Sequence, residues 1–468
     1  MKHLLVIVYA FPPCSVSGIH RPLGFVKYLE PSGWRSTVLC AENPIYPERD
    51  HRLLSQIPGS ARVIRTRDVD PLAWLQRLRQ QLRPRQAAPA AMGSPPPAAP
   101  VGTAGEESRW NPLRAVKGSV VRRLHPPGLV PGWYLPALWA GRRLIREQRP
   151  DALYSSGPPW TAHLVACQLA AEYGLPWVAD FRDPWVSNPR PFTDEGLRRR
   201  HAVLEARLLA RADVVVCVLE TMRRDFLARY PHRRPQDVVT ITNGFDPATF
   251  QCVGPGSGGG TGDGSASLTI LHTGHLYGRR RIEPLLGALT EWIGEEPAPG
   301  PPVRVHLLGG SAEYVAELRS RVARSAAAPW VEVEPEIPHQ QALQRQAEAT
   351  VLLLVGFSGP GEQYQMSGKI FEYLALRRPI LALAPFDSPI GDVLLATGVR
   401  HWIVSPDDPA GLLRALRDIG HQWRRGNLDG PQSSASLAAF DRRELAKQLA
   451  ATLELAIATS RARTGATP

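Results

Sequence analysis

Little in this chain offers a covalent or metal framework. Five cysteines, Cys14, Cys40, Cys167, Cys217 and Cys252, are scattered over 468 residues with no Cys-x-x-Cys pair. That spread excludes a disulfide-stapled scaffold and a zinc cage, and it suits a reducing compartment. No apolar run reaches the ~18 residues that a transmembrane helix needs. Acid is the scarcer charge, with 43 Asp and Glu against 55 Lys and Arg, a net of +12. Excess cations favour anionic partners such as nucleic acid, anionic lipid or phosphorylated ligands. No signature of a DNA- or RNA-binding module accompanies them, so nucleic acid is not an expected partner. What is there in ordinary measure is the core: 43% hydrophobic and 21% charged residues, in a length that calls for two domains or more.

The opening "LLVIVYAFPPCSVSGIHRP" (4–22) tests the compartment. The apolar run Leu4–Phe11 is short for a signal core, and Pro12, Pro13 and Cys14 follow it where a signal would place small residues. Rich in Val, Ile and Leu and stopped by turn residues, it reads as a buried parallel strand. The expected location is therefore the cytoplasm.

Strand-like runs then alternate with helical stretches. "STVLC", "DALYS", "PWVADF", "DVVVCV" and "DVVTI" follow in turn, with helices near 19–29, from about Trp160 and from about Asp194. The rhythm restarts with "LTILHTG", "VRVHLLGG", "WVEVEPE", "TVLLLVG", "PILALA" and "HWIVS". Such alternation predicts an α/β protein of two doubly wound, Rossmann-like domains. The boundaries expected are 1–252 and 268–436, then a helix over 437–461. Residues 86–108, dominated by Ala, Pro and Gly, read as a disordered insertion. Residues 253–267 read as a flexible linker.

Two formal motifs have blander readings. Gly254, Gly256 and Gly259 spell a dinucleotide fingerprint but precede a strand instead of joining a strand to a helix. Asp68-Val69-Asp70 spells a metal-diphosphate motif, yet Asp70-Pro71 suits a helix cap with proline next. No metal and no cofactor are expected.

Four stretches have chemistry at loop positions. In "FPPCSVSGIHRP", Gly18 allows close approach to backbone amides at a helix start, or marks a tight turn without a ligand. In "VADFRDPW" (178–185), Asp180, Arg182 and Asp183 follow a strand, where ligands of open sheets bind. They read as a site for sugar hydroxyls or proton transfer, or as a structural Asp–Arg pair. In "HTGHLYGRRRIEPLL" (272–286), Arg279, Arg280 and Arg281 offer planar, permanently charged forks to a diphosphate, or form a solvated face. In "QMSGKIFEYLALRRPILAL" (365–383), Ser367 and Gly368 start a helix with Lys369 in its first turn. Glu372 lies three residues on, on the same face. A cation and free amides there hold phosphate, and the carboxylate can accept two ribose hydroxyls, unless the two side chains are only an ordinary helix pair.

These stretches, with "YSSGPPWTAH", "TITNGFDPATF" and their order, resemble glycosyltransferase family 4, of the GT-B fold. The resemblance implies two Rossmann-like domains facing across a cleft, an acceptor-binding first domain, a donor-binding second domain and a final helix that crosses back to the first. The implied reaction is metal-independent, retaining transfer from a nucleotide diphosphate sugar. By position, Glu372 would bind ribose, Lys369 and Arg280 the diphosphate, and the backbone near His339 the base. Ser367 would also bind the nucleotide sugar, and Gly18 with its loop would lie close to the diphosphate and acceptor. Arg182 and Asp183 would be catalytic. The chain departs from the family at three points. Tyr364 replaces the first of two spaced glutamates, with Glu362 the nearest acid. Arg182 stands for a histidine, and His275 for an arginine. An epimerase of the same fold and a non-catalytic binding scaffold in polysaccharide assembly stay open beside the transferase. Between Arg109 and Arg149 many basic residues and several aromatics accompany one acid, Glu147. That stretch either lies peripherally on an anionic membrane at its inner face or forms a basic helix beside a polar cleft. A saccharide or lipid-linked sugar is the acceptor expected, in cell-surface polysaccharide or glycolipid assembly.

Overall fold

Where β-branched residues run uninterrupted, the chain forms parallel strands. A computed structural model describes residues 1–69, 128–188, 192, 194–251, 253, 267–276, 280–295, 303–359, 361–428 and 437–464. The 86–108 insertion, Asp70, Arg279 and residues 254–266 of the linker lie outside them. The chain divides into two compact units. One runs to Thr242 and resumes at Leu445, and the other holds Asn243–Glu444.

The first unit is a seven-stranded sheet of β1 (Lys2–Ile7), β2 (Trp34–Ala41), β3 (Arg62–Thr66), β4 (Ala152–Gly157), β5 (Trp177–Phe181), β6 (Val214–Cys217) and β7 (Val238–Thr240). All neighbours are parallel, in the order β3-β2-β1-β4-β5-β6-β7. Opening residues 4–7 are fully buried at its centre, with Val6 paired to Val38 on one side and Tyr154 on the other. The opening run is thus a central strand. Strand β3 was not among the runs read from sequence. Its "RVIRT" alternates arginine with Val and Ile at the sheet edge, where only one neighbour pairs it. Helices α1 (His20–Tyr28), α2 (Pro131–Glu147), α3 (Thr161–Tyr173), α4 (Glu195–Arg211) and α5 (Glu220–Arg229) connect the strands. Asp194 caps α4 by accepting from the amides of Gly196 and Leu197.

The second unit repeats the plan with β8 (Thr269–Thr273), β9 (Arg304–Leu308), β10 (Val331–Glu334), β11 (Val351–Val355), β12 (Ile380–Leu383) and β13 (His401–Val404), ordered β10-β9-β8-β11-β12-β13. Its helices are α6 (Pro247–Phe250), α7 (Glu283–Glu295), α8 (Ala312–Val322), α9 (His339–Glu348), α10 (Lys369–Leu376), α11 (Pro389–Thr397) and α12 (Pro409–Arg424). The two-residue period of a strand explains the layers. Val351, Leu353 and Val355 of β11 join the core under α7, α8 and α12, while Leu352 and Leu354 join the core under α9, α10 and α11. Burial on both faces is why these strands read as continuous apolar runs. The two sheets are doubly wound, and their strand order reverses between β1 and β4 and between β8 and β11, the places where such sheets bind ligands.

The last helix, α13 (Arg442–Thr464), supplies Leu445, Leu449 and Leu453 at four-residue spacing to the core of β1 and β2. Arg463 anchors its end on buried Asp213 at 2.9 Å.

Candidate functional site

A polar cluster in the second unit gathers at the carboxyl end of β8 and the start of α10. Helix α10 begins because Gly368 occupies its cap and Lys369, Ile370 and Phe371 follow with apolar residues toward the core. Ser367, half-buried, accepts the first helical amide, from Ile370, through its carbonyl at 3.2 Å. Lys369 and Glu372 therefore share one face, and the Lys369 ammonium donates to Glu372 Oε2 at 3.0 Å. From α9, His339 Nε2 lies 3.2 Å from Glu372 Oε1. Burial pushes the Glu372 carboxyl up, but the Lys369 ammonium and His339 outweigh it and hold it down to about 2. The group is an anion at every working pH.

Beneath this pair lie residues that sequence reasoning missed. Gln346 Nε2 donates to Thr273 Oγ1 at 2.8 Å and reaches Glu372 Oε2 at 3.4 Å. The Thr273 amide donates to the Tyr373 hydroxyl at 3.2 Å. Only the seven-residue spacing of His339 and Gln346, two helical turns, hinted that both face α10. His272, buried, donates from Nδ1 to the Leu353 carbonyl at 2.9 Å, and burial lowers its pKa to about 4. The charges of Arg280 and Lys369 both depress it further.

The three arginines separate. Arg280 is buried, donates to the His275 carbonyl at 3.0 Å and lies 4.4 Å over the Phe357 ring. Arg281 turns away to pair with Asp407. Arg279 lies outside the described residues. The floor of the loop requires glycine. Gly309 has φ 142°, and a Cβ there would stand 2.8 Å from the Gly274 carbonyl oxygen, while one on Gly274 would touch Lys369 Cε at 3.7 Å. Tyr364 sits in a short turn, Glu362–Tyr364, and the Glu362 carboxylate accepts the Gly359 amide of its own loop at 2.8 Å.

In the first unit the structure brings Gly18 and Arg182 together. The guanidinium lies so close that a Cβ on Gly18 would meet Arg182 Nη1 at 1.8 Å, so a larger residue there would have to displace the Arg182 side chain. The Arg182 amide donates to Gly157 at 3.0 Å, its side chain also donates to the Pro158 carbonyl, and Asp183 beside it is exposed. Asp180 takes the structural reading, though with a different arginine. Arg21, 159 residues away, grips it from Nε and Nη2 at 2.8–3.1 Å, and Tyr154 and Ser156 donate to it at 2.6 and 2.8 Å. Burial raises the Asp180 carboxyl, and Arg21 overrides this and keeps it below the usual range. Arg21 also donates to the carbonyls of Ile241 and Thr242, so one buried ion pair ties α1, β5 and the end of β7 together. Asp68 accepts from the Tyr9 hydroxyl at 2.7 Å in the interior. That is a structural use of the formal metal motif. Among the described residues, three potential ligands cluster closely only at His306, Glu332 and Glu334, on β9 and β10.

The family model described as Glycosyltransferase Family 4 matches residues 102–249, less than half of the chain. No curated protein matches in sequence. Among solved structures, Anabaena HepE in complex with UDP aligns with a TM-score of 0.58 at 16% identity, covering 97% of this chain and 100% of that one. Sucrose-phosphate synthase from Thermosynechococcus elongatus gives 0.58 at 15%, covering 96% and 97%. The lipopolysaccharide outer core galactosyltransferase WaaB gives 0.52 at 11%, covering 95% and 99%. At these identities the structures speak to the fold. The chain has the α/β, GT-B architecture and resembles glycosyltransferase family 4.

Proposed function

We propose that the protein is a glycosyltransferase that binds a nucleoside diphosphate sugar in its second unit and moves the sugar to an acceptor with retention. The observation that carries this reading is the Lys369–Glu372–His339 cluster at the start of α10, with buried Arg280 at the neighbouring loop. A permanent carboxylate suits two ribose hydroxyls, and Ser367, Lys369, Arg280 and the helix amides suit a diphosphate. In the reaction the anomeric C–O bond to the diphosphate breaks and one to the acceptor hydroxyl forms. The hydroxyl's proton leaves to the diphosphate or to water. Two protein cations can neutralise the departing diphosphate without a metal. By the resemblance, Gly18, Arg182 and Asp183 are the first unit's candidates for binding and catalysis. HepE is described with UDP and with UDP-glucose, so uridine donors are the first to test.

The acceptor in this reading is a saccharide or a lipid-linked sugar, met at the cytoplasmic face of a membrane during polysaccharide or glycolipid assembly. No helix among the described residues is long and apolar enough to cross a membrane. One observation favours a second, non-catalytic reading. Tyr364 stands where the first glutamate falls, and Glu362 is engaged by its own loop. Incubation with a panel of nucleotide sugars separates the outcomes. Nucleotide release that depends on acceptor supports transfer, isomerised sugar supports epimerisation, and binding without turnover supports the scaffold. No binding of any nucleotide sugar refutes all three.

A further inference from the structure

Two neighbouring strands of the second sheet set three metal-binding side chains on one face. In the parallel register of β9 and β10, His306 stands opposite Glu332, and Glu334 follows two residues on. The two-residue period of a strand turns all three side chains to the same side. The other side belongs to Val305, Leu307 and Val333, which join the core under α7, α8 and α12. His306 Nδ1 lies 3.3 Å from Glu332 Oε2 and 3.5 Å from Glu334 Oε1. One ligand atom from each residue falls within 4.8 Å of the other two.

The imidazole sets this cluster apart from a pair of surface acids. His306 Nδ1 is buried, yet it has no hydrogen-bond partner among the described residues. Folded proteins seldom leave a buried polar atom unbonded, because its lost hydration is not replaced. This nitrogen faces two carboxylate oxygens at distances that a metal explains. Ligands about 2.0–2.1 Å from a tetrahedral ion stand roughly 3.3–3.4 Å apart, and both separations from Nδ1 agree with that edge. The charges agree as well. The only ion-pair partner of Glu332 among the described residues is His306. Glu334 Oε1 accepts from Arg345 Nη2 at 2.7 Å. A carboxylate oxygen has a second lone pair, so this bond orients Glu334 as an outer partner orients a metal ligand. The Glu332 side chain is 56% exposed, which leaves a fourth position open to water. Nitrogen and oxygen donors at tetrahedral spacing suit zinc, whereas magnesium and calcium take six or more oxygens.

We propose that His306, Glu332 and Glu334 bind one zinc ion, with water as the fourth ligand, and that the ion fastens the edge strand β10 to β9. None of these ligands belongs to the α10 cluster. The site therefore goes beyond the transfer reaction proposed above and does not depend on it.

The full chain, freed of metal with a chelator, is titrated with zinc by calorimetry. The wild type is expected to take up one equivalent ahead of any weaker uptake at other histidines. Glu332→Gln alters an exposed side chain and keeps the fold, and His306→Gln removes the nitrogen ligand. Each is expected to weaken the first step by at least about tenfold. Cobalt bound in place of zinc is expected to show the strong visible absorption of a tetrahedral ion. Zinc at a hundredfold excess over Kd is expected to raise the wild-type Tm by about 5–10 °C, and Glu332→Gln is expected to lose most of that rise. A first equivalent that Glu332→Gln and His306→Gln both retain overturns the proposal. So does a cobalt spectrum of the weak, octahedral kind, or zinc uptake that is weak and scattered over many sites. No uptake at all would leave a bare His–Glu pair and overturns it equally.

Discussion

Glu372→Gln removes one charge and almost no volume. In the structure the carboxylate is held by Lys369, His339 and Gln346 at 3.0, 3.2 and 3.4 Å. A shift from 4.5 to about 2 corresponds to roughly 3 kcal/mol favouring the ionised form. The glutamine cannot reproduce that field and offers one acceptor oxygen instead of two. A hydrogen bond to a charged acceptor contributes roughly 1.5–3 kcal/mol, so losing one from a ribose hydroxyl weakens nucleoside diphosphate binding by about 10- to 150-fold. Titration calorimetry with uridine diphosphate and its 2′-deoxy analogue reads this directly. The wild type should prefer the ribose form, and Glu372→Gln should lose both affinity and preference together. An unchanged Kd, or the same ribose preference in both proteins, refutes the assignment of Glu372 to the sugar of the nucleotide.

Gly309→Ala forces a side chain onto φ 142° and within 2.8 Å of the Gly274 carbonyl. It should destabilise the second unit by about 2–3 kcal/mol, seen as a lower denaturant midpoint. An unaltered midpoint would show that the β8 and β9 ends can part freely. Asp180→Asn leaves Arg21 charged, buried and underpaired, and should cost about 3–5 kcal/mol in the first unit, measured by thermal unfolding. Burial holds His163 at about 3 and His272 at about 4, from 6.5 in each case. The unfolded chain therefore binds more protons between those values and pH 6.5, so stability is full above about pH 6.5 and declines as the pH falls. His163→Phe should flatten that decline, and chemical denaturation at several pH values would contradict the idea if the slope persisted.

Much of the fold was legible because burial on both sheet faces writes itself as continuous apolar runs, as in "LLVIV" and "TVLLLV". Strand β3 escaped because an edge strand with alternating arginines carries no such run. The grouping of Lys369 with Glu372 was readable from helical spacing, since three residues place two side chains on one face. Their third partner, His339, lies 33 residues away, and Gln346 has no motif at all. The same limit explains Asp180. A strand-end Asp next to Arg182 suggested a local pair, whereas the fold supplies Arg21 from α1, and Arg182 instead covers Gly18.

The central claim, that a nucleoside diphosphate sits at the start of α10, is tested most directly by hydrogen–deuterium exchange with and without uridine, guanosine, adenosine and thymidine diphosphates. The account predicts that at least one of them slows exchange over Ser367–Leu376 and Gly274–Leu276. Protection confined to residues before Thr242, or no protection with any of the four, would contradict it.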